Sequence, residues 1–356
     1  MADLADPAAW DAFVAGAEPG SYLQQTAWAR VKAVNGWQAH RIVAAAQTRV
    51  GAQVLVRRPR PLPWGFAYAP RGPVAGTWDE AGIGAFTEAV RRRLPQVAGR
   101  ISHLRIDPEI ELDGPLDRDG RLRRALVGVG WRRGAPIQPE STRLIDLAAD
   151  EASLWGDLRK KWRQYVNRAR AAGYRVADAD GDRLSEFYAI YRETASRAGF
   201  LIRTEQAYRD VWEAYRPTGQ ARLLFAEDAD GAPQATLFLV RAGPRVVEPY
   251  GGMTARGAVE RANYLVKWEA IRTSREQGAT SYDLWGVATP GIAHFKTGFG
   301  GREIRYVGAW DLVLDSLGRA AFDVAQQGRV WLARRRHGLR GDGRAASSAV
   351  DGDAAG

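Results

Sequence analysis

One arrangement occurs twice in this chain, and it constrains the fold more than any other feature. The first copy opens with His40-Arg41-Ile42-Val43-Ala44, turns near Arg49-Val50-Gly51, and returns through Gln53-Val54-Leu55-Val56-Arg57. The second opens with Ala221-Arg222-Leu223-Leu224-Phe225-Ala226, turns at Asp230-Gly231, and returns through Gln234-Ala235-Thr236-Leu237-Phe238-Leu239. Short apolar runs bounded by turn residues read as hairpins. In each copy a further strand runs into a Gly-rich loop: Phe66-Ala67-Tyr68-Ala69-Pro70-Arg71-Gly72, and Val246-Val247-Glu248-Pro249-Tyr250-Gly251-Gly252. A helix follows, around Ile83 to Leu94 in one copy and from about Arg261 to Gln277 in the other. Tyr264, Leu265, Trp268 and Ile271 lie there at helical spacing. Each helix leads to another strand, Ser102 to Asp107 and Ser281 to Trp285. The same order over about fifty residues predicts an α/β chain of two units with one plan, each a mixed β-sheet flanked by helices and arisen by duplication.

Length agrees: 356 residues, at about 150 per domain, is roughly two domains. A helical stretch joins the copies, with Leu154, Leu158, Trp162, Val166 and Ala169 on one apolar face and Gly173 as its stop. A second helix carries Leu184, Phe187, Ile190 or Tyr191, Ala195 and Ala198. The boundary between the units is placed near residue 146. After about Leu339 the chain turns small, polar and Gly/Ala-rich, so residues 341–356 are expected to form a disordered tail.

Composition excludes several chemistries. There is no cysteine, which removes thiolate catalysis, disulfides and Cys-built metal sites. The four histidines have no helical ligand spacing, so no metal is expected. The N-terminal twenty residues carry four acids and no base, unlike a secretory leader, and no run of 18 apolar residues occurs. A cytoplasmic location with at most peripheral contact to the inner membrane face is expected. The net charge of +10, from 46 arginines and five lysines against 41 acids, favours a polyanionic partner.

The hairpin–strand–helix–strand order is the plan of the GNAT acyltransferase fold. An ordinary member of that fold binds the pyrophosphate of coenzyme A on a loop of the form Arg/Gln-x-x-Gly-x-Gly/Ala at a helix N-terminus. The corresponding loop here, Thr254 to Ala262, lacks the second glycine and places Glu260 in the path of the phosphates. Coenzyme A binding is therefore disfavoured.

Six segments in order carry a more specific resemblance. They are Gln24 to Lys32 (QQTAWARVK), Tyr68 to Val74 (YAPRGPV), Leu104 to Glu109 (LRIDPE), Ile137-Gln138-Pro139, Phe200-Leu201-Ile202-Arg203, and His294 to Gly301 (HFKTGFGG). Read together, over roughly residues 20 to 335, the chain resembles the FemABX family of tRNA-dependent aminoacyltransferases, which build the peptide cross-bridge of bacterial peptidoglycan on a pair of GNAT-like domains. The resemblance implies a first domain of residues 1–146 completed by residues 305–340, and a second of residues 147–304. It implies transfer of an amino acid (glycine, alanine or serine) from aminoacyl-tRNA to an amine of the stem peptide of lipid II or UDP-MurNAc-pentapeptide, with no cofactor. It also assigns roles. Lys296 would stabilise the negative charge that grows on the carbonyl oxygen, with Phe295 shaping the site. Lys32 and Arg203 would contact acceptor phosphates, the latter through a guanidinium fork. Tyr250 and, more weakly aligned, Tyr208 would hydrogen-bond the acceptor. Asp107 is a candidate proton acceptor for the attacking amine, although an Asp before Pro at a strand end is also a common turn element. Independently of family, the basic run Lys160, Lys161 and Arg163 offers a face for tRNA. The chain is too short between Arg203 and Tyr250 for the helical arm some members insert there.

Two other readings share these residues. An acyl-CoA-dependent GNAT N-acyltransferase would bind acetyl-CoA. A non-catalytic RNA-binding module would suit the charge without requiring Phe295-Lys296.

Overall fold

The computed structural model describes residues 4–44, 49–286 and 290–336. The expected tail at 341–356 lies outside the described residues. The chain divides into two compact units, Met1–Glu140 with Arg305–Gly356, and Ser141–Ile304.

In the first unit, helices α1 (Pro7–Ala15) and α2 (Thr26–Ala33) precede the hairpin β1 (Gln38–Ala44) and β2 (Val50–Arg57). Then come β3 (Gly65–Ala69), the short β4 (Val74–Ala75), α3 (Glu80–Ala98), β5 (Ile101–Ile106), α4 (Arg121–Gly128) and β6 (Trp131–Arg133). The second unit runs β7 (Ser141–Asp146), α5 (Glu151–Asp157), α6 (Lys160–Ala171), β8 (Arg175–Ala179), α7 (Leu184–Ala198) and α8 (Glu205–Tyr215). It continues with β9 (Ala221–Glu227), β10 (Pro233–Ala242), β11 (Arg245–Met253), α9 (Ala255–Glu260), α10 (Ala262–Glu276), β12 (Ser281–Asp283), α11 (Pro290–Thr297) and β13 (Arg302–Arg305). Finally β14 (Trp310–Val313) and α12 (Ser316–Arg336) return to the first unit.

The two sheets repeat one topology. The first has the order β1-β2-β3-β5-β14-β6, with β4 on β2; the second has β8-β9-β10-β11-β12-β7-β13. In the first, antiparallel β1-β2-β3 is followed by a crossover through α3 to β5, parallel to β3. In the second, antiparallel β9-β10-β11 is followed by a crossover through α10 to β12, parallel to β11. A parallel neighbour needs such a crossover, and a helix is the usual one. The next position is filled from different ends of the chain: β14 lies antiparallel to β5, and β7 antiparallel to β12. Strand Ser141–Asp146, placed with the first unit from the sequence, pairs in the second sheet.

Each unit has its own core. In the first, Val54, Val90, Leu94, Leu104 and Leu312 are fully buried between α3 and the sheet. In the second, Val166, Leu239, Ile271 and Tyr282 do the same beneath α6 and α10. The single helix expected from Leu154 to Ala169 is two. Leu158 and Arg159 adopt extended ψ values of 137° and 139° between α5 and α6. Among the described residues no helix is long and apolar enough to cross a membrane.

Candidate functional site

Lys296 lies on α11, half-buried, and its ammonium is held by the chain itself. Nζ donates to the carbonyl oxygens of Trp285 at 2.7 Å and Gly286 at 2.6 Å. Burial pushes its pKa down to about 8; the charge of Lys267 adds to the effect, while Glu248 and Asp283 oppose it. At neutral pH the group is still mostly a cation, placed where water is scarce. That environment lets a fixed charge act strongly on a developing oxyanion. Phe295 packs against Tyr264 and Phe299, with centroids 5.1 and 5.2 Å apart. Its carbonyl accepts from Trp162 Nε1 at 3.0 Å. The motif glycine after Lys296 is a packing requirement: a Cβ at Gly298 would sit 2.3 Å from the Trp162 indole.

Beneath α11 lies a polar layer that the sequence reading did not single out. Lys267 and Glu248 form a buried ion pair, and Tyr282 donates to Glu248 at 2.8 Å. The Lys267 ammonium sits 5.4 Å from the Phe295 ring centre and 5.8 Å from that of Phe299. The signal was present: Lys267 is one of five lysines and lies between Val266 and Trp268 on the buried face of α10. Asp283, fully buried, pairs with Arg245 and accepts from Thr142.

A second group of predicted residues meets elsewhere in the same unit. Arg203 Nη2 donates to the Tyr250 hydroxyl at 2.6 Å, and its backbone N–H donates to the Tyr208 hydroxyl at 3.2 Å. The guanidinium lies over both rings, 5.6 Å from Tyr208 and 5.8 Å from Tyr250. Tyr191 packs against both tyrosines. Burial raises the Tyr208 hydroxyl to about 12, so it stays protonated as a donor. A bulge places Phe238 opposite Tyr250 but Val240 opposite Val247. The extra residue on β11 bends the strand and re-aims Tyr250.

In the first unit the motif segments are knitted to one another. Gln24 donates to Pro70 O at 2.7 Å and accepts from Gln53 N at 2.8 Å. Asp107 accepts from Tyr68 OH at 2.7 Å and from Arg71 N at 2.6 Å, one donor on each carboxylate oxygen. Arg71 pairs with Glu109 at 3.3 Å and donates to Pro139 O at 2.8 Å. Burial raises Asp107 to about 6, with Arg71 opposing. Lys32, on α2, is buried, its ammonium 4.8 Å from the Trp28 ring centre.

On α6, Lys160 and Lys161 are exposed. Arg163 is half-buried and bonded within the chain. Its Nη1 donates to the carbonyls of Trp155, Gly156 and Leu158 at 3.3, 2.6 and 2.9 Å. It satisfies the open carbonyls at the end of α5 and fixes the break before α6.

The loop at the N-terminus of α10 is filled by protein groups. Glu260 accepts from Tyr174 and pairs with Arg256 at 3.2 Å. A Cβ at Gly257 would lie 2.2 Å from Gln234 O, so this glycine is fixed by close approach to β10. Among the described residues no cluster of His, Asp or Glu is arranged to hold a metal.

Residues 6–118 match the model of the FemAB family, and residues 156–297 that of the acetyltransferase (GNAT) domain. The chain is 27% identical over 225 residues to the lipid II:glycine glycyltransferase of Staphylococcus saprophyticus, covering 62% of this chain and 54% of that protein. It is 27% identical over 223 residues to the enzyme of the same name from Staphylococcus aureus, covering 61% and 52%. It thus spans about half the length of the curated relatives it matches. The crystal structure of FemX has a TM-score of 0.80 to this chain at 20% identity, covering 91% of this chain and 98% of that one. The structure of L-PGS from Bacillus licheniformis has a TM-score of 0.51 at 11% identity, covering 87% and 92%. These likenesses agree with the repeated sheet topology and with motif segments in both units: they support the FemABX family, on a chain built as a pair of GNAT-like domains.

Proposed function

We propose that the chain transfers an amino acid from the 3′ ester of an aminoacyl-tRNA to an amine of the stem peptide of a peptidoglycan precursor. The observation that carries this reading is Lys296: a half-buried ammonium on two backbone carbonyls, beside Phe295, in a chain similar to lipid II:glycine glycyltransferases. The names of those relatives favour glycine as the residue transferred and lipid II as the acceptor. Alanine, serine and the UDP-linked precursor are the further arms of the test.

In this reaction the acceptor nitrogen attacks the ester carbonyl carbon. A C–N bond forms, the C–O bond to the tRNA ribose breaks, and the ribose hydroxyl leaves with a proton. Charge grows on the carbonyl oxygen, and the Lys296 ammonium is the donor for it. Its two hydrogen bonds to carbonyls leave one of its three N–H groups for that oxygen. Removing such a donor costs about 10²–10³ in rate. Phe295 walls the site. Arg203, steadied by Tyr250 and Tyr208, presents its fork to acceptor phosphate; in the first unit Lys32 is the candidate for such a contact. Asp107 has both oxygens occupied, which suits holding the Tyr68–Arg71 turn better than taking the amine proton. Exposed Lys160 and Lys161 contact the tRNA backbone. The reaction takes place in the cytoplasm, with peripheral contact at the inner membrane face when the acceptor is lipid-linked.

The test uses a charged tRNA pool carrying labelled glycine, alanine or serine, mixed with lipid II or with UDP-MurNAc-pentapeptide. Label should enter the muropeptide, and RNase pretreatment should abolish it. Acylation of an amine from acetyl-CoA with no transfer from tRNA would overturn the reading in favour of an acyl-CoA enzyme.

A further inference from the structure

The two carbonyls that hold Lys296 belong to a turn that is not the chain's relaxed choice. Trp285 has φ +57°. For a bulky L-residue the left-handed region is a genuine outlier, costing on the order of 1–3 kcal/mol, and it persists only where the surroundings fix it. Here they do. Trp285 N–H donates to Asp283 Oδ1 at 2.8 Å, two residues back. Asp283 cannot turn away, because its side chain also pairs with Arg245 on β11 and accepts from Thr142 on β7. The neighbouring strands thereby clamp one carboxylate, the carboxylate clamps the turn, and the turn presents its oxygens to the Lys296 ammonium.

We propose that Asp283 is a positioning residue: through the left-handed turn at Trp285 it fixes the carbonyls of Trp285 and Gly286 that hold Lys296. This rests on the reading of Lys296 given above. It goes beyond it in naming what sets the direction of the ammonium. A flexible four-carbon stem does not do so alone. Two carbonyls fixed in space remove that freedom before substrate arrives, as a supporting shell should. Lys267, Glu248 and Asp283 are the charged groups that act on the Lys296 ammonium.

Substitutions at Trp285 separate the turn from the indole. Glycine adopts the left-handed conformation without strain, so Trp285→Gly keeps the turn. Proline is locked near φ −65° and has no N–H, so Trp285→Pro destroys both the conformation and the bond to Asp283. Both variants lose the indole, so its contribution cancels between them. With only five lysines in the chain, side-chain ¹³Cε/¹⁵Nζ NMR resolves each one, and Lys296→Arg identifies the signal. Lys296 should titrate near 8 in the wild type and in Trp285→Gly. In Trp285→Pro, where the ammonium is released from both carbonyls into water, the midpoint should rise toward the ordinary lysine value of about 10.4. In transfer assays Trp285→Pro should show a kcat at least about 50-fold below that of Trp285→Gly, with KM within about twofold. Equal titration and equal kcat in the two Trp285 variants would overturn the proposal. So would a folded Asp283→Ala whose kcat equals that of the wild type. The NMR reading needs no turnover. A clear split between the variants without any tRNA-dependent transfer would keep the positioning and defeat the function.

Discussion

Asp107 shows how one side chain's surroundings decide what it can do. Burial lifts its pKa to about 6, while an unfolded Asp titrates near 3.9. The folded state therefore keeps this proton at pH values where the unfolded chain has lost it. The associated stability is fully present below about pH 4 and is lost as pH rises to about 6, a difference of order 3 kcal/mol. Denaturant titrations from pH 4 to 7 should show that downward slope in the wild type relative to Asp107→Asn, in which it disappears. Equal slopes would mean that the carboxylate is ionised throughout. Arg203 makes a different demand. A guanidinium can grip phosphate with two parallel bonds, and an ammonium cannot. Arg203→Lys should raise the acceptor KM by about tenfold with little change in kcat, read from transfer kinetics at saturating donor. A fall in kcat at unchanged KM would place Arg203 in the chemical step instead.

At the scale of elements, the Phe-Lys-x-Gly-Phe-Gly-Gly stretch was legible as a motif, but its mechanics were not. Sequence reading put Lys296 among glycines; the structure puts it near the C-terminal end of a helix, with the glycines serving packing. Gly298→Ala would press a Cβ into the Trp162 indole, which also hydrogen-bonds Phe295 O. The expected cost is about 1–3 kcal/mol, seen as a fall in Tm by calorimetry. An unchanged Tm would mean that Trp162 can move aside freely. Both repeats were legible because hairpins and amphipathic helices announce themselves by period. The break at Leu158 was not, because the apolar spacing continues straight through it and the cause is a side chain: Arg163 reaching back to three carbonyls. The Lys267–Glu248 and Asp283–Arg245 pairs were invisible as pairs, since their members lie 19 and 38 residues apart. The packing of α10 on β11 brings the first together and the pairing of β11 with β12 the second.

For the molecule as a whole, duplication was readable, but the origin of the strand beside β5 and β12 was not fixed by pattern. β14 comes from the far end of the chain and β7 from the start of the second unit. A two-unit protein with a net charge of +10 should bind RNA with strong salt dependence. Lys160→Gln with Lys161→Gln should lower the log K against log salt slope by about 1–2. A slope unchanged by the pair would move the tRNA contact away from α6. Single-turnover transfer of labelled glycine from glycyl-tRNA to lipid II reads the proposed part of the Lys296 ammonium in the chemical step. Lys296→Met should slow the chemical step by about 10²–10³ while both substrates still bind. A Lys296→Met enzyme that transfers glycine at the wild-type rate would mean that the ammonium takes no part in that step.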